Sequence, residues 1–306
     1  MSERLAEIGQ RIAAIGQLGA VVNAMRGIAA ARARQGRALL PAIQAYAETT
    51  ARAIREAQRL AGGAAMADLR TAGRRGLIVF GAEQGFAGAF VEQALDAAAP
   101  ELDGADLFLL GTRAAILAGE HGYAVAWTAP MPSRAEALPA TAILIAAAIE
   151  DYLDRTGAVP IGMIYPISTA ERGTTMTRRG LLPLDLAATL PQAPAEPPLI
   201  NLSVGQLLAQ FGEEHVFAQL CEAAAEAFTA ENEARLQAMA AAEANVESRL
   251  AALQAEERQT RQEEITAEIV ELAAGARSRA RSARTHPDAA ASTPAAPQQE
   301  EKITCP

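Results

Sequence analysis

The chain has 306 residues, enough for one large or two ordinary domains, and half of it is hydrophobic while only 4% is aromatic. Alanine supplies much of that apolar fraction, which favours close helix packing over a bulky globular core. The net charge is −9 and the one lysine is Lys302, which excludes a phosphate-binding loop of the GxxxxGK[ST] type and Schiff-base chemistry.

From Leu5, apolar residues recur at Ile8, Ile12, Ile15, Leu18, Val22, Met25 and Ala29. Spacings that alternate between three and four place them on one helix stripe. The stripe continues more loosely through Ile43, Ala47, Ile54 and Leu60. Pro41 is expected to kink or break this helix. Gly9, Gly16, Gly19, Gly27 and Gly36 weaken it by up to about 1 kcal/mol each, so packing must hold it, and small residues admit a partner helix closely. Residues 1–60 carry nine Arg against four Glu. A solvated face is the ordinary explanation, and a basic helix meeting an acidic partner is the sharper one.

Gly62 and Gly63 end this element. Gly76–Phe80 reads as a buried strand, followed by a Gly-rich turn, Gly81–Gly88, and a helix over Val91–Ala98. Asp106–Leu110 and Val159–Tyr165 read as further strands, Tyr123–Trp127 as a short one, and Arg113–His121 and Ala135–Arg155 as helices. Alternation of this kind implies a mostly parallel sheet with helices on its faces. Residues 172–200 read as strand and proline-punctuated loop.

Ser203 is placed to cap the next helix. From Val204 to about Ser282 there is no proline, and this helix is too long for a compact domain to bury. Heptad spacing links Met239, Val246 and Leu253, with Leu236 and Leu250 offset from them. Gln254–Glu264 contains one apolar residue, Ala255, and the stripe resumes at Ile265, Ile269 and Leu272. From about His286 the Ala-, Pro- and Ser-rich tail reads as disordered. The divisions are thus 1–65, an N-terminal coiled-coil helix; 66–202, an α/β domain; 203–285, a C-terminal coiled-coil helix; and 286–306, a tail.

The residues offer little chemistry. Cys221 and Cys305 fit no metal spacing and suggest a reducing compartment. His121, His215 and His286 are isolated. No Ser/His/Asp or Cys/His arrangement and no metal cluster stands out, and no cofactor or nucleic acid is expected. The opening residues do not read as a secretion leader. No apolar run reaches the roughly 18 residues of a bilayer span, so membrane association is expected to run through a partner. The glycines of Gly81–Gly88 do not match G-x-G-x-x-G, although a strand–turn–helix can present N–H groups to an anion. An α/β ligand-binding protein with coiled-coil arms, and a self-associating coiled-coil scaffold, are the alternatives.

Several motifs resemble the gamma subunit of F-type ATP synthases. Arg11-Ile12-x-x-Ile15 and Asn23-Ala24-Met25-x-x-Ile28-Ala29-Ala30-Ala31-Arg32 are similar to that family's N-terminal helix, and Tyr46-Ala47-Glu48-Thr49 has a family-like look. Ala82-Glu83-Gln84-Gly85-Phe86-Ala87-Gly88 resembles its D-R-G-L-C-G turn, with Glu for Asp and Ala for Cys. Glu231-x-x-x-Arg235-x-x-x-Met239-x-x-Ala242-x-x-Asn245, then Arg261-Gln262-x-x-Ile265-Thr266-x-Glu268-x-x-Glu271-x-x-x-Gly275-Ala276, resemble its C-terminal helix. Together the motifs cover residues 4–276.

The resemblance implies a long antiparallel coiled coil of N- and C-terminal helices plus a central Rossmann-like α/β domain. It implies a noncatalytic rotor inside a ring of three alpha and three beta subunits, standing on a c-ring with epsilon alongside. It implies contact with beta-subunit catch loops by Arg261 and Gln262, with Thr266, Glu268, Met25 and Arg235 near the same zone. A polar stretch at Gln254–Glu264 suits a helix that slides past three partners. The chain departs from the family at Ala20, where Lys is usual, at Arg258, where Asn is usual, and in the 30 residues after Ala276. It also lacks the cysteine-pair insert of chloroplast members.

Overall fold

The computed structural model describes residues 3–61, 74–169, 173–184 and 199–285. The expected break at Gly62 and Gly63, the prolines from Pro191 to Pro198, and the tail with His286, Lys302 and Cys305 lie outside them.

Five strands form one sheet: β1 (Arg75–Phe80), β2 (Ala105–Leu110), β3 (Val125–Ala129), β4 (Ile161–Thr169) and β5 (Gly173–Leu182). Their order is β3-β2-β1-β4-β5. The first four are parallel, with Ile78 opposite both Phe108 and Met163. β5 returns antiparallel to β4, pairing Tyr165 with Thr177. The mostly parallel expectation therefore holds, and the strand within 172–200 is the antiparallel edge. The helices are α1 (Glu3–Leu60), α2 (Phe90–Ala98), α3 (Thr112–Glu120), α4 (Leu138–Thr156) and α5 (Val204–Thr285). A 3-10 turn at Ala135–Ala137 leads into α4, inside the range read as one helix.

Side chains of β1 alternate between two cores, as the two-residue period of a strand requires. Ile78 and Phe80 join Phe108, Tyr165, Ile145 of α4, and Leu220 and Phe228 of α5. Leu77 and Val79 join Leu107, Leu109, Leu95 of α2 and Leu117 of α3.

The chain divides into two compact units, residues 18–246 and residues 1–17 with 247–306. In the larger, α1 and α5 run antiparallel: Arg26 pairs with Glu243 at 2.6 Å, Arg37 with Glu233, and Tyr46 donates to Glu214. Gly19 and Gly36 face Val246 and Thr229, whereas Gly27 faces open space. Close approach therefore uses only some of the glycines. In the smaller unit Arg4 lies 4.0 Å from Glu256, and Leu5 and Ile8 are buried. The acidic partner that a basic first helix suggests is thus, at Arg4, Arg26 and Arg37, this chain's own α5.

Pro41 does not break α1, which is helical throughout. Proline removes one backbone donor, but Leu40 and Ile43 on either side pack against the core, and Arg37, whose carbonyl loses that donor, is tied to Glu233. A second expectation also changes. Part of α1 is long and apolar enough to cross a membrane by length and composition alone. Ile12, Ile15, Leu18, Val21, Val22 and Ile28 carry that hydropathy, although Gln17, Asn23, Arg26 and several glycines interrupt them, so no unbroken apolar run is present.

Candidate functional site

The turn after β1 is fastened from two sides. Glu83 turns its carboxylate toward the sheet: Oε2 accepts from the backbone N–H groups of Thr112 at 3.0 Å and Met131 at 2.8 Å, and Oε1 from Thr112 Oγ1 at 2.8 Å. A carboxylate at the first residue of α3 also suits the positive end of that helix. On the other side the backbone N–H groups of Glu83 and Gln84 donate to the Glu231 carboxylate of α5 at 3.2 and 3.3 Å. Arg235, one helical turn further, donates to Gly85 O at 3.2 Å and Gln84 O at 3.1 Å. It also donates to Asn232 Oδ1 at 3.3 Å and pairs with Glu231.

These side chains are deep. Glu231 is 4% exposed, Asn232 2% and Arg235 5%. A buried ion pair of this kind requires its remaining donors and acceptors to be satisfied, and the turn supplies them. Between these anchors Phe86 adopts φ 63° and is 68% exposed. A left-handed aromatic residue is uncommon and persists only where its surroundings fix it. The turn's amides are already occupied by a carboxylate of the same chain, so an anionic ligand would have to displace Glu231.

The sites expected from the C-terminal motif separate. Arg235 is enclosed by the contacts just described and is not on the surface of its unit. Met25 is half-buried on α1. Arg261, Gln262, Thr266 and Glu268 are exposed. Arg261 reaches back to Glu257 at 2.9 Å and Thr266 donates to Gln262 O at 2.8 Å. The polar stretch keeps an inward edge: Thr260 is buried and Leu253, Glu257 and Glu264 are half-buried. Beyond it Ile265, Ile269, Val270 and Leu272 are 52–67% exposed, so the resumed apolar stripe is uncovered.

A second cluster was not singled out from the sequence. Arg179 of β5 pairs with Glu222 of α5 at 2.6 Å and lies over the Tyr165 ring. Beside it Glu226 is raised to about 6, first by burial and then by the charges of Glu222 and Glu233. Burial also pushes the Cys221 thiol up to about 11, which keeps it in the unreactive form. Among the described residues no group of three or more His, Cys, Asp or Glu could hold a metal.

A family model described as ATP synthase matches residues 4–278. The chain belongs to the ATP synthase gamma family. The ATP synthase gamma chain of Frankia casuarinae is 28% identical over 302 residues, covering 90% of this chain and 98% of that one. A chain of the Euglena gracilis mitochondrial ATP synthase F1/c-ring assembly superposes with a TM-score of 0.67 at 14% identity, covering 95% and 99%. A chain of the Tetrahymena thermophila mitochondrial ATP synthase central stalk/c-ring assembly superposes with a TM-score of 0.52 at 15% identity, covering 72% and 99%. The family motif Glu231-x-x-x-Arg235 is thus, in this member, an internal pair. The (i, i+4) spacing of an acid and a base was the available signal, but it does not say which way the pair faces.

Proposed function

We propose that this chain is the central-stalk rotor subunit of an F-type ATP synthase. It couples ion flow through a membrane c-ring to ATP synthesis or hydrolysis in a hexamer of three alpha and three beta subunits. The observation that carries this reading is the family match from residue 4 to residue 278, which takes in both long helices and the sheet between them. The chain is a noncatalytic subunit, and ATP chemistry stays with its partners.

Contact with the hexamer runs through Arg261, Gln262, Thr266 and Glu268, with Met25 near the same zone. Arg235, which the resemblance sets near the same zone, is buried against the turn instead. The support for this reading is that the first four side chains are exposed and that uncovered Ile265, Ile269 and Leu272 continue their helix. Large apolar side chains left in solvent are a mark of a partner surface. Where α1 ends and α5 begins, exposed Leu199, Ile200 and Leu202 border a cavity of about 370 Å³ with Leu60 and Phe211. That end meets the c-ring and the epsilon subunit. The working divisions are 1–65 and 203–285 for the coiled coil, 66–202 for the α/β domain and 286–306 for a tail. The complex lies at the cytoplasmic face of a bacterial inner membrane, and the chain meets the membrane only through the complex.

Co-expression with the alpha and beta chains of the same genome tests the reading. Purification in a three-three-one ratio, with ATP-driven rotation of a bead fixed to this chain, is expected. Recovery of this chain only as a free monomer or homodimer would sink it.

A further inference from the structure

We infer that Glu231 and Arg235 are the clamp that makes the sheet turn with α5, a role that rests on the rotor reading above. The sheet is seated on a stretch of α5 rich in small side chains. Between Ala218 and Ala230, α5 places Ala223, Ala224, Ala225 and Ala227 in the core at 0–1% exposure, with Leu220 and Phe228 as the large side chains beside them. Alanine ridges are shallow and key a helix to its neighbour less firmly than large side chains do. Such a seat gives cohesion, and Leu220 and Phe228 are its main steric keys. Directional bonds add to those two keys in setting the angle between helix and sheet, and charge-assisted ones are the stiffest available.

Glu231 and Arg235 supply these bonds at the end of the alanine run. The Glu231 carboxylate accepts from two successive backbone N–H groups of the turn, and the Arg235 guanidinium donates to the carbonyls of Gln84 and Gly85. Both polarities of the same backbone segment are gripped, so movement in either sense strains at least one pair. Glu83 passes the grip on to Thr112 of α3 and Met131. A chain of polar contacts therefore runs from α5 through the turn to the far side of the sheet. The Arg179–Glu222 pair adds one further directional contact, on a more exposed side chain.

The test uses the double substitution E231L/R235M in the full chain. Replacing both members of a buried pair by apolar residues of similar size often leaves stability unchanged, while it removes every bond to the turn. In the isolated chain, amide exchange at Glu83 and Gln84 is expected to rise by about tenfold or more, with α5 and β1 amides unchanged. In the assembled, membrane-reconstituted complex, ATP hydrolysis is expected to continue while ions pumped per ATP fall by roughly half or more. R235K is the second variant: it keeps the charge beside Glu231 but cannot span both carbonyls, and should show the same changes to a smaller degree even if the double variant does not fold. Unchanged exchange at Glu83 and Gln84 overturns the clamp. Faster exchange with wild-type pumping per ATP overturns its mechanical role. Failure of the unsubstituted chain to assemble is a separate result, seen before any substitution, and counts against the rotor reading.

Discussion

Thr50 of α1 and His215 of α5 are joined by a 2.9 Å hydrogen bond between Oγ1 and Nδ1, inside the helix pair. Thr50 Oγ1 donates to Ala47 O at 2.9 Å, and the Gln219 amide lies 2.6 Å from His215 Nε2. This network assigns the proton to Nδ1, which donates to Thr50, while Nε2 accepts. The imidazole is held below its ordinary value, first by burial and then by Arg179 and Arg55, against Glu222 and the Ala47 carbonyl. A histidine depressed in the folded state binds fewer protons there than in the unfolded chain. Its loss of stability begins as pH falls through the unfolded value of 6.5 and continues to the lower folded value. The Tm difference between wild type and His215→Gln, followed from pH 7.5 to pH 5, should move against the wild type as pH falls, because only the wild type loses this contribution; a difference constant with pH would refute it.

Glu226 works in the opposite sense. Its folded value of about 6 lies above the ordinary 4.5, so the folded state binds more protons between these values. Stability from this group is fully present below 4.5 and is lost as pH rises through 6. Glu226→Gln should therefore stabilise the chain by about 1–2 kcal/mol near pH 8 and give no gain near pH 4.5. Urea midpoints at the two pH values check this, and equal gains at both would refute the assignment.

Gly36 is where the helix pair has no spare room. A Cβ there would run into Thr229 Oγ1 and approach Phe228, and Thr229 is itself held by Ala225 O at 2.7 Å. Gly36→Ala should cost about 1–3 kcal/mol, the range for overpacking. Gly27, with nothing within 4 Å, is the control on the same helix. Gly27→Ala should stabilise by up to about 1 kcal/mol through helix propensity alone. Circular dichroism under denaturant separates the two signs.

Arg261→Ala combined with Gln262→Ala should leave the isolated chain within about 0.5 kcal/mol of wild type, because both side chains are exposed and only Arg261 pairs, with Glu257. Rotation or assembly with alpha and beta chains should nevertheless be impaired. Wild-type hydrolysis and pumping in that double variant would remove these residues from the partner contact.

The long helices and the parallel strands were legible because each carries its own period: three to four along α1, and short apolar runs for β1, β2 and β4. The antiparallel β5 was harder. Its Thr174, Thr175, Arg178 and Arg179 make an edge strand with no continuous apolar face, and only pairing with β4 defines it. Pro41 misled because a local breaker was weighed without the packing that spans it. The turn clamp was hidden for a different reason. Glu83 and Glu231 are 148 residues apart, and a sequence pattern can mark an acid and a base on one helix without showing that they face inward toward a distant backbone.

The uncovered side chains at Ile265, Ile269, Val270 and Leu272 have a consequence for the cell as well as for the complex. A copy of this chain without its partners carries a sticky helix end into solvent, and the hazard grows with every copy made in excess. Production of the chain must therefore be matched to the supply of its partners. Expressed alone and concentrated, it should precipitate or be captured by chaperones, and co-production of the partners should restore its solubility.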